Sequence, residues 1–247
     1  MSLVVEQAAG LISIQDLGRA GHMHDGVPPG GAAARTLLIA ANREAANRDD
    51  APAVEVFGLL RLRAERRVEV ATPGGARILD GGETMTVHSI TATYLAVRGG
   101  IAAREVLGGR GALPGVVVRR GDRLEPAGEP PVRFARPPTL GEGPVRVLPG
   151  PDSDAFAPDA IAMLCAAPYK VLPHRAGAKL LGTLIPRTER SDHSRPMVRG
   201  AIEVPRSGMP IVLGPDHPTT GGYPVIAVVA TADLDRVFAF QTVQFTT

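Results

Sequence analysis

Tryptophan is absent from this 247-residue sequence, aromatic residues make up only 4% of it, and cysteine occurs once. A core drawn from such a chain must be built from Val, Leu, Ile and Ala rather than from stacked rings. The lone thiol, Cys165, excludes an internal disulfide framework and fits a reducing compartment. Its setting, Ala-Met-Leu-Cys-Ala-Ala, is that of an inert core thiol rather than a nucleophile. No run approaches the roughly 18 apolar residues that span a bilayer. The N-terminus lacks a basic start followed by an apolar stretch. The sequence therefore reads as cytoplasmic, with no membrane partner. Lysine is scarce too: of 27 basic residues only Lys170 and Lys179 are lysines. The arginines are interleaved with Asp and Glu, the net charge is +2, and no basic cluster carries aromatic side chains. No nucleic-acid partner is expected, although the sequence pI is near 9.0.

Several motifs are missing as well. His22 and His24 lie two apart and Asp192 adjoins His193, but there is no His-x-x-x-His pair and no Cys/His quartet, so no metal site is expected. Neither a phosphate-binding Gly-x-x-x-x-Gly-Lys-[Ser/Thr] loop nor a Gly-x-Gly-x-x-Gly turn occurs. There is no Gly-x-Ser-x-Gly elbow. Neither lysine sits between methionines, as a biotin-accepting lysine would. No cofactor is expected on this chain.

What is present is glycine and proline, 29 and 23 residues spread along the whole sequence. Such spacing suits many short strands joined by turns. Strands are expected over Ser2–Ile14 (one or two, with Gly10 between), Val54–Leu62, Arg67–Ala71, Ala76–Leu79, Thr84–Val87 and Thr91–Val97. The clearest helix is Ala32–Arg48, with Leu37, Leu38, Ala41 and Ala45 on one face. Pro126–Pro138 reads as a linker, dividing the chain into residues 1–136 and 137–247. The second part follows a similar plan, opening with a strand at Val145–Leu148 and a helix Ser153–Ala166 capped by Ser153 or Asp154. Strands at Lys179–Leu184, Gly200–Val204, Pro210–Leu213 and Val225–Val229 come next, then a last amphipathic turn from Asp233. Many short strands with glycine turns point to barrels or sandwiches.

Two polar segments stand out. In Gln15-Asp-Leu-Gly-Arg-Ala-Gly21 and Gly26-Val-Pro-Pro-Gly-Gly31, glycines permit positive φ and Arg19 offers a planar fork suited to a carboxylate. The plainer reading is a connection in which Asp16 and Arg19 pair with one another. In Asp216-His-Pro-Thr-Thr-Gly-Gly-Tyr-Pro224, Thr219 and Thr220 bring hydroxyls and Tyr223 a phenol. Gly221 and Gly222 allow a backbone concavity for an oxygen. A hairpin would also use Gly-Gly.

These segments and others in order resemble the family known as allophanate hydrolase subunit 2, which includes the C subunit of bacterial 5-oxoprolinase, a kinase-inhibitor antagonist and part of the carboxyltransferase region of urea carboxylase. The resemblance runs through Ser13–Gly21, Gly26–Ala32, Ala40–Arg43, Ala53–Glu55, Tyr94–Ile101 and Val106–Gly108. It continues through Gly150–Asp152, Gly200–Pro205, Gly208–Leu213 and Thr219–Pro224. It implies a mainly β chain of two cyclophilin-like β-barrel subdomains with a few short helices. It also implies a homologous first subunit as partner, a third 5-oxoprolinase component, and ATP or biotin carried by those other chains. On that basis Arg19, His217 and Tyr223 are the candidate catalytic residues. Gln15, Asp16, Thr219, Thr220, Gly221 and Gly222 are the candidates for binding a small amide or carboxylate.

The chain departs from the family pattern where Gln becomes Glu203 and where Asp-Arg-Gln becomes Asp216-His217-Pro218. Replacing a site Gln by Glu adds repulsion toward an anion unless an arginine such as Arg195 or Arg199 compensates. Three readings follow: an ATP-dependent enzyme subunit, a non-catalytic subunit that titrates its partner, and prolyl isomerisation from the barrel shape alone, which fold by itself does not support.

Overall fold

A computed structural model describes residues 2–133, 136–188 and 194–247, so Asp192 and His193 lie outside the described residues. Among the described residues the chain is mainly β with three helices, and its sheets form one nearly closed barrel-like sheet and one half-barrel. Two compact units divide it: Met1–Ala20 with Gly30–Leu140, and Gly21–Pro29 with Gly141–Thr247.

In the first unit the elements run β1 (Leu3–Gln15), α1 (Arg35–Glu44), β2 (Ala53–Ala64), β3 (Val68–Thr72), β4 (Gly75–Leu79), β5 (Thr84–Val97) and β6 (Arg123–Leu124). They form one antiparallel sheet in the order β4-β3-β5-β2-β1-β6. Its core is aliphatic, with Leu3, Ile12, Val54, Leu60, Leu62, Val70, Leu79 and Leu95 all but sealed from solvent. The break expected between Thr84–Val87 and Thr91–Val97 does not occur. β5 runs through because its pairing with β2 shifts register between Val56 and Gly58, a bulge that absorbs the extra residues. Likewise Gly10 does not interrupt β1. It faces Gly58 directly across the ladder, and a Cβ on either would fall 2.2 or 2.1 Å from the partner strand's carbonyl oxygen. Only glycine lets the two strands approach this closely.

Helix α1 is shorter than the expected Ala32–Arg48. Ala32, Ala33 and Ala34 are fully buried and stay out of the helix. Their amides are taken elsewhere: Ala32 donates to the Asp16 carbonyl at 2.8 Å, Ala33 to Glu55 Oε2 at 2.7 Å and Ala34 to the Tyr94 hydroxyl at 3.0 Å. At the other end Ala46, at φ 53°, turns the chain out of the helix.

The second unit holds β7 (Val145–Pro149), α2 (Ala160–Cys165), β8 (Tyr169–Leu172), β9 (Gly177–Leu181), β10 (Arg195–Pro196), β11 (Ala201–Glu203), β12 (Ile211–Leu213), β13 (Thr220–Gly221), β14 (Val225–Val229), α3 (Leu234–Ala239), β15 (Thr242–Val243) and β16 (Phe245–Thr246). Eight of the strands form a sheet in the order β15-β8-β9-β12-β11-β14-β7-β16, and β10 pairs with β13 as a separate ribbon. The expected helix Ser153–Ala166 is split into a 3-10 turn at Ser153–Ala155 and α2. Between them Phe156 bridges to Arg187 in strand fashion, and Pro158 cannot donate to a continuing helix. The cap position of α2 falls at Asp159, which makes no side-chain cap, rather than at Ser153 or Asp154. No helix of the described residues is long and apolar enough to cross a membrane. Burial pushes the part-buried Cys165 thiol up, which keeps it protonated at neutral pH.

Asp233 ties this unit together. Its carboxylate accepts from Arg146 Nε at 2.7 Å and from the Arg146 amide at 2.9 Å, and Arg236 lies 2.6 Å away. Hydrogen bonding from Arg146 is the main reason its carboxyl is held far below the usual range. A depressed carboxyl stabilises the fold at pH values above its unfolded pKa of about 4. That contribution is lost as pH falls through the native value. Urea unfolding of Asp233→Asn should therefore show a shallower loss of stability between pH 6 and pH 2 than the parent. Identical slopes would contradict this assignment.

Candidate functional site

In the first unit β1 ends at Gln15 and delivers Asp16 and Arg19 into a tight loop. Gly31, at φ 77°, packs so closely on Gly18 that a Cβ would sit 2.6 Å from its nitrogen. Asp16 and Arg19 do not pair with each other, contrary to the plainer expectation. Asp16 instead accepts the Gly18 amide at 2.8 Å and the Arg110 amide at 2.5 Å. Arg19 is 2% exposed. Its Nε donates to the Val106 carbonyl at 3.2 Å and its Nη2 to the Gly111 carbonyl. Its fork is thus turned onto the backbone of 106–111 rather than held open for a carboxylate.

The clamped segment is itself unusual. Val106 and Gly109 close a two-residue hairpin with Leu107 at φ 54° and Gly108 at φ 76°. A leucine in the left-handed region costs on the order of 1–2 kcal/mol, and it persists only when its surroundings hold it. Arg19 and Asp16 do so. Behind the hairpin, a Cβ on Gly111 would lie 2.7 Å from Asp16 Oδ1 and 2.9 Å from Gln15 Oε1. Gln15 donates to the Ser13 hydroxyl at 2.9 Å. Its Oε1 and the Nη1 of Arg19 are buried without a hydrogen-bond partner among the described residues.

Asp16, Gly18, Arg48, Asp50, Arg110 and Glu129 surround a cavity of about 600 Å³. Its arginines already hold carboxylates, Arg48 with Asp50 at 3.0 Å and Arg110 with Glu129 at 2.8 Å. Arg48 holds the Asp50 carboxyl below its ordinary range. A carboxylate or amide ligand entering here would exchange with those pairs. Arg110, Arg48 and Glu129 carry no sequence motif, so only the fold reveals them.

The loop 216–223 belongs to the second unit. Its start is pinned by a buried bidentate pair, Arg175 donating to Asp216 at 2.7 and 2.9 Å. Its end is braced by Asp152, which accepts the Val225 amide at 2.8 Å and pairs with Arg195. His217 is 1% exposed. Its Nδ1 donates to the Pro218 carbonyl at 2.7 Å, which leaves a bare Nε2 with no partner among the described residues. Burial above all pushes its pKa down, so the ring is neutral at pH 7 and sealed from solvent. Thr220 and Tyr223 are exposed or half-exposed, and among the described residues the hydroxyls of Thr219, Thr220 and Tyr223 make no hydrogen bond. Gly221 and Gly222 do not take positive φ, so the expected backbone concavity is not formed there. Gly221 pairs with Arg195, and a Cβ on it would meet Met197 at 3.0 Å. Small size, not a nest, explains it.

Among the described residues no group of three or more His, Cys, Asp or Glu could hold a metal ion. Two β subdomains, each presenting a braced polar loop, define the class of protein. The chain belongs to the family described as carboxyltransferase domain, subdomain A and B, whose model matches residues 25–246. It is 30% identical to the C subunit of 5-oxoprolinase from Escherichia coli (strain K12), across 94% of this chain and 86% of that protein. It is 26% identical to the urea amidolyase of Lachancea kluyveri, across 91% of this chain but only 16% of that protein. Among solved structures, TTHA0988 matches at a TM-score of 0.83 and 29% identity, covering all of this chain and 55% of that one. The K. lactis urea amidolyase matches at 0.83 and 25% identity, covering 99% of this chain and 18% of that one. The chain thus spans just over half the length of TTHA0988 and under a fifth of the urea amidolyases.

Proposed function

We propose that this chain is one subunit of an ATP-dependent complex of the 5-oxoprolinase or allophanate hydrolase type, acting on a small amide or carboxylate. The observation that carries this reading is the polar cavity bounded by Asp16 and Arg110, whose wall is a strained hairpin held by Arg19. Arg48 and Arg110, exchanging their carboxylate partners, would orient an anionic or amide oxygen there and stabilise charge that develops on it. Similarity to the C subunit of 5-oxoprolinase along nearly the full chain supports it. In this reading Arg19 positions the hairpin, Asp16 faces the substrate side of the first unit's cavity with Gln15 packed behind it, and the second unit by itself offers the hydroxyls of Thr219, Thr220 and Tyr223 as donors. ATP or biotin belongs to the partner chains: a homologous first subunit and a third component. The complex works in the cytoplasm.

The burial of Arg19 and His217 favours a second reading, a non-catalytic subunit that binds and titrates its partner. Reconstitution separates the two. The purified partner subunits are assayed for ATP-dependent loss of 5-oxoproline with and without this chain. The first reading expects turnover only in its presence. Equal turnover without it, together with stable assembly, would leave the second.

A further inference from the structure

The second unit carries an opening whose polar groups come from neither loop. A cleft of about 570 Å³ lies on its eight-stranded sheet, lined by Leu172, Lys179, Glu203, Ile211 and Leu213, with His174 and Pro218 also on its walls. The strand residues form one cross-strand row: Leu172 is opposite Lys179, Lys179 opposite Ile211, and Ile211 opposite Glu203. Neighbouring strands are about 4.8 Å apart, which sets the backbones of Lys179 and Glu203 roughly 10 Å apart. Ile211 lies between them.

The polar groups at the two ends differ in kind. Glu203 is half-buried, its side chain makes no hydrogen bond or ion pair among the described residues, and burial alone raises its pKa. A carboxylate withdrawn from water without a partner is a cost that folding does not require. Lys179 is exposed and likewise makes no ion pair among the described residues. His174 Nδ1 accepts the Ala176 amide at 3.2 Å, so in the neutral ring the proton sits on Nε2 as a further donor. One end of the cleft therefore donates and is cationic, the other accepts and is anionic, and an aliphatic floor separates them.

The geometry points to a binding site for a small dipolar molecule: a carboxylate held by Lys179 and His174, an ammonium or amide N–H accepted by Glu203, and an aliphatic stem of several carbons lying on Ile211 and Leu213. The ligand class is that of ω-amino acids and their amides. Pro218 belongs to the 216–223 loop and Glu203 stands where the family pattern has Gln, but none of the cleft's lining residues is one that the proposed function uses, so its failure would leave that function untouched.

The test is calorimetric titration of the full chain with ε-aminocaproate, with γ-aminobutyrate, caproate and hexylamine as comparators. Saturable binding of ε-aminocaproate with a Kd of about 1 mM or tighter is expected. Each single-charge comparator and the shorter γ-aminobutyrate should bind at least tenfold more weakly. Glu203→Gln removes a half-buried unpaired charge at constant shape and should fold at least as well as the parent, yet lose tenfold or more in affinity. Lys179→Ala, at an exposed position, should do the same. Absence of saturable binding at 10 mM would overturn the assignment, as would equal affinity of both variants and the parent for ε-aminocaproate.

Discussion

Arg175→Ala should lower the unfolding free energy by about 3–5 kcal/mol, the usual cost of removing one partner from a buried ion pair. Both side chains are nearly sealed, 4% and 9% exposed, and the pairing is bidentate. Truncating Arg175 strands the Asp216 carboxylate where water cannot reach it. The backbone adds to the effect, because the Asp216 amide donates to the Arg175 carbonyl at 3.0 Å, so the loop entrance loosens with the side chain. For a chain of this size the melting temperature should fall by roughly 10 °C or more. Replacing both residues together, by Met and Leu, should recover most of the loss, since a well-packed apolar pair avoids the desolvation cost. A loss below about 1 kcal/mol in Arg175→Ala, the range of exposed pairs, would show that Asp216 reaches solvent.

Arg19→Ala is expected to cost about 2–3 kcal/mol, since charge-assisted hydrogen bonds contribute about 1.5–3 kcal/mol and the buried Gly111 carbonyl loses its donor, while the Val106 carbonyl keeps the Gly109 amide. Its larger effect should be on the hairpin. Leu107 remains left-handed because 106–111 is held at both ends by Arg19 and from behind by Asp16. Without the clamp the leucine can relax, and the cavity wall formed by Gly108 and Arg110 moves. In the reconstituted complex, turnover should drop at least tenfold while partner affinity persists. Arg19→Lys keeps one carbonyl contact at most and should fall between the two. Unchanged turnover in Arg19→Ala, with the hairpin intact, would remove Arg19 from the working site.

Much of the fold is written locally. The alternation in Val68–Thr72 and the aliphatic runs of β2, β12 and β14 are period-two or fully buried patterns that any strand reading finds. Turn glycines mark most of the joints between them. The two-residue strands β6, β10, β13, β15 and β16 are too short to carry a period, and their pairing is decided by partners far along the chain. Sequence extends α1 too far at its start because Ala32–Ala34 has high helix propensity, whereas in the fold Asp16, Glu55 and Tyr94 take its amides. That three-way anchor, Tyr94 donating to Glu55 at 2.6 Å, joins three separate blocks of the resemblance and gives them a structural reason.

The candidate site is legible in the sequence as a place more than as a set of roles. The loop at 15–19 is where the cavity opens, but Arg19 faces backbone carbonyls instead of a ligand. His217, an acid–base group by residue type, is shut away as a neutral ring. Buried partners such as Arg175 and Asp216, 41 residues apart, leave no trace in spacing. Nor does the contribution of Arg110, which only tertiary packing brings beside Asp16.

Whether this chain contributes working groups to the complex, rather than only binding its partner, is tested most directly by turnover of the complex carrying Tyr223→Phe. The phenol is exposed, 42% by surface, and makes no hydrogen bond among the described residues, so its removal should shift stability by no more than about 0.5 kcal/mol. The account predicts that ATP-dependent consumption of 5-oxoproline falls at least tenfold while assembly with the partner is unchanged. Full turnover from an assembled Tyr223→Phe complex would contradict it.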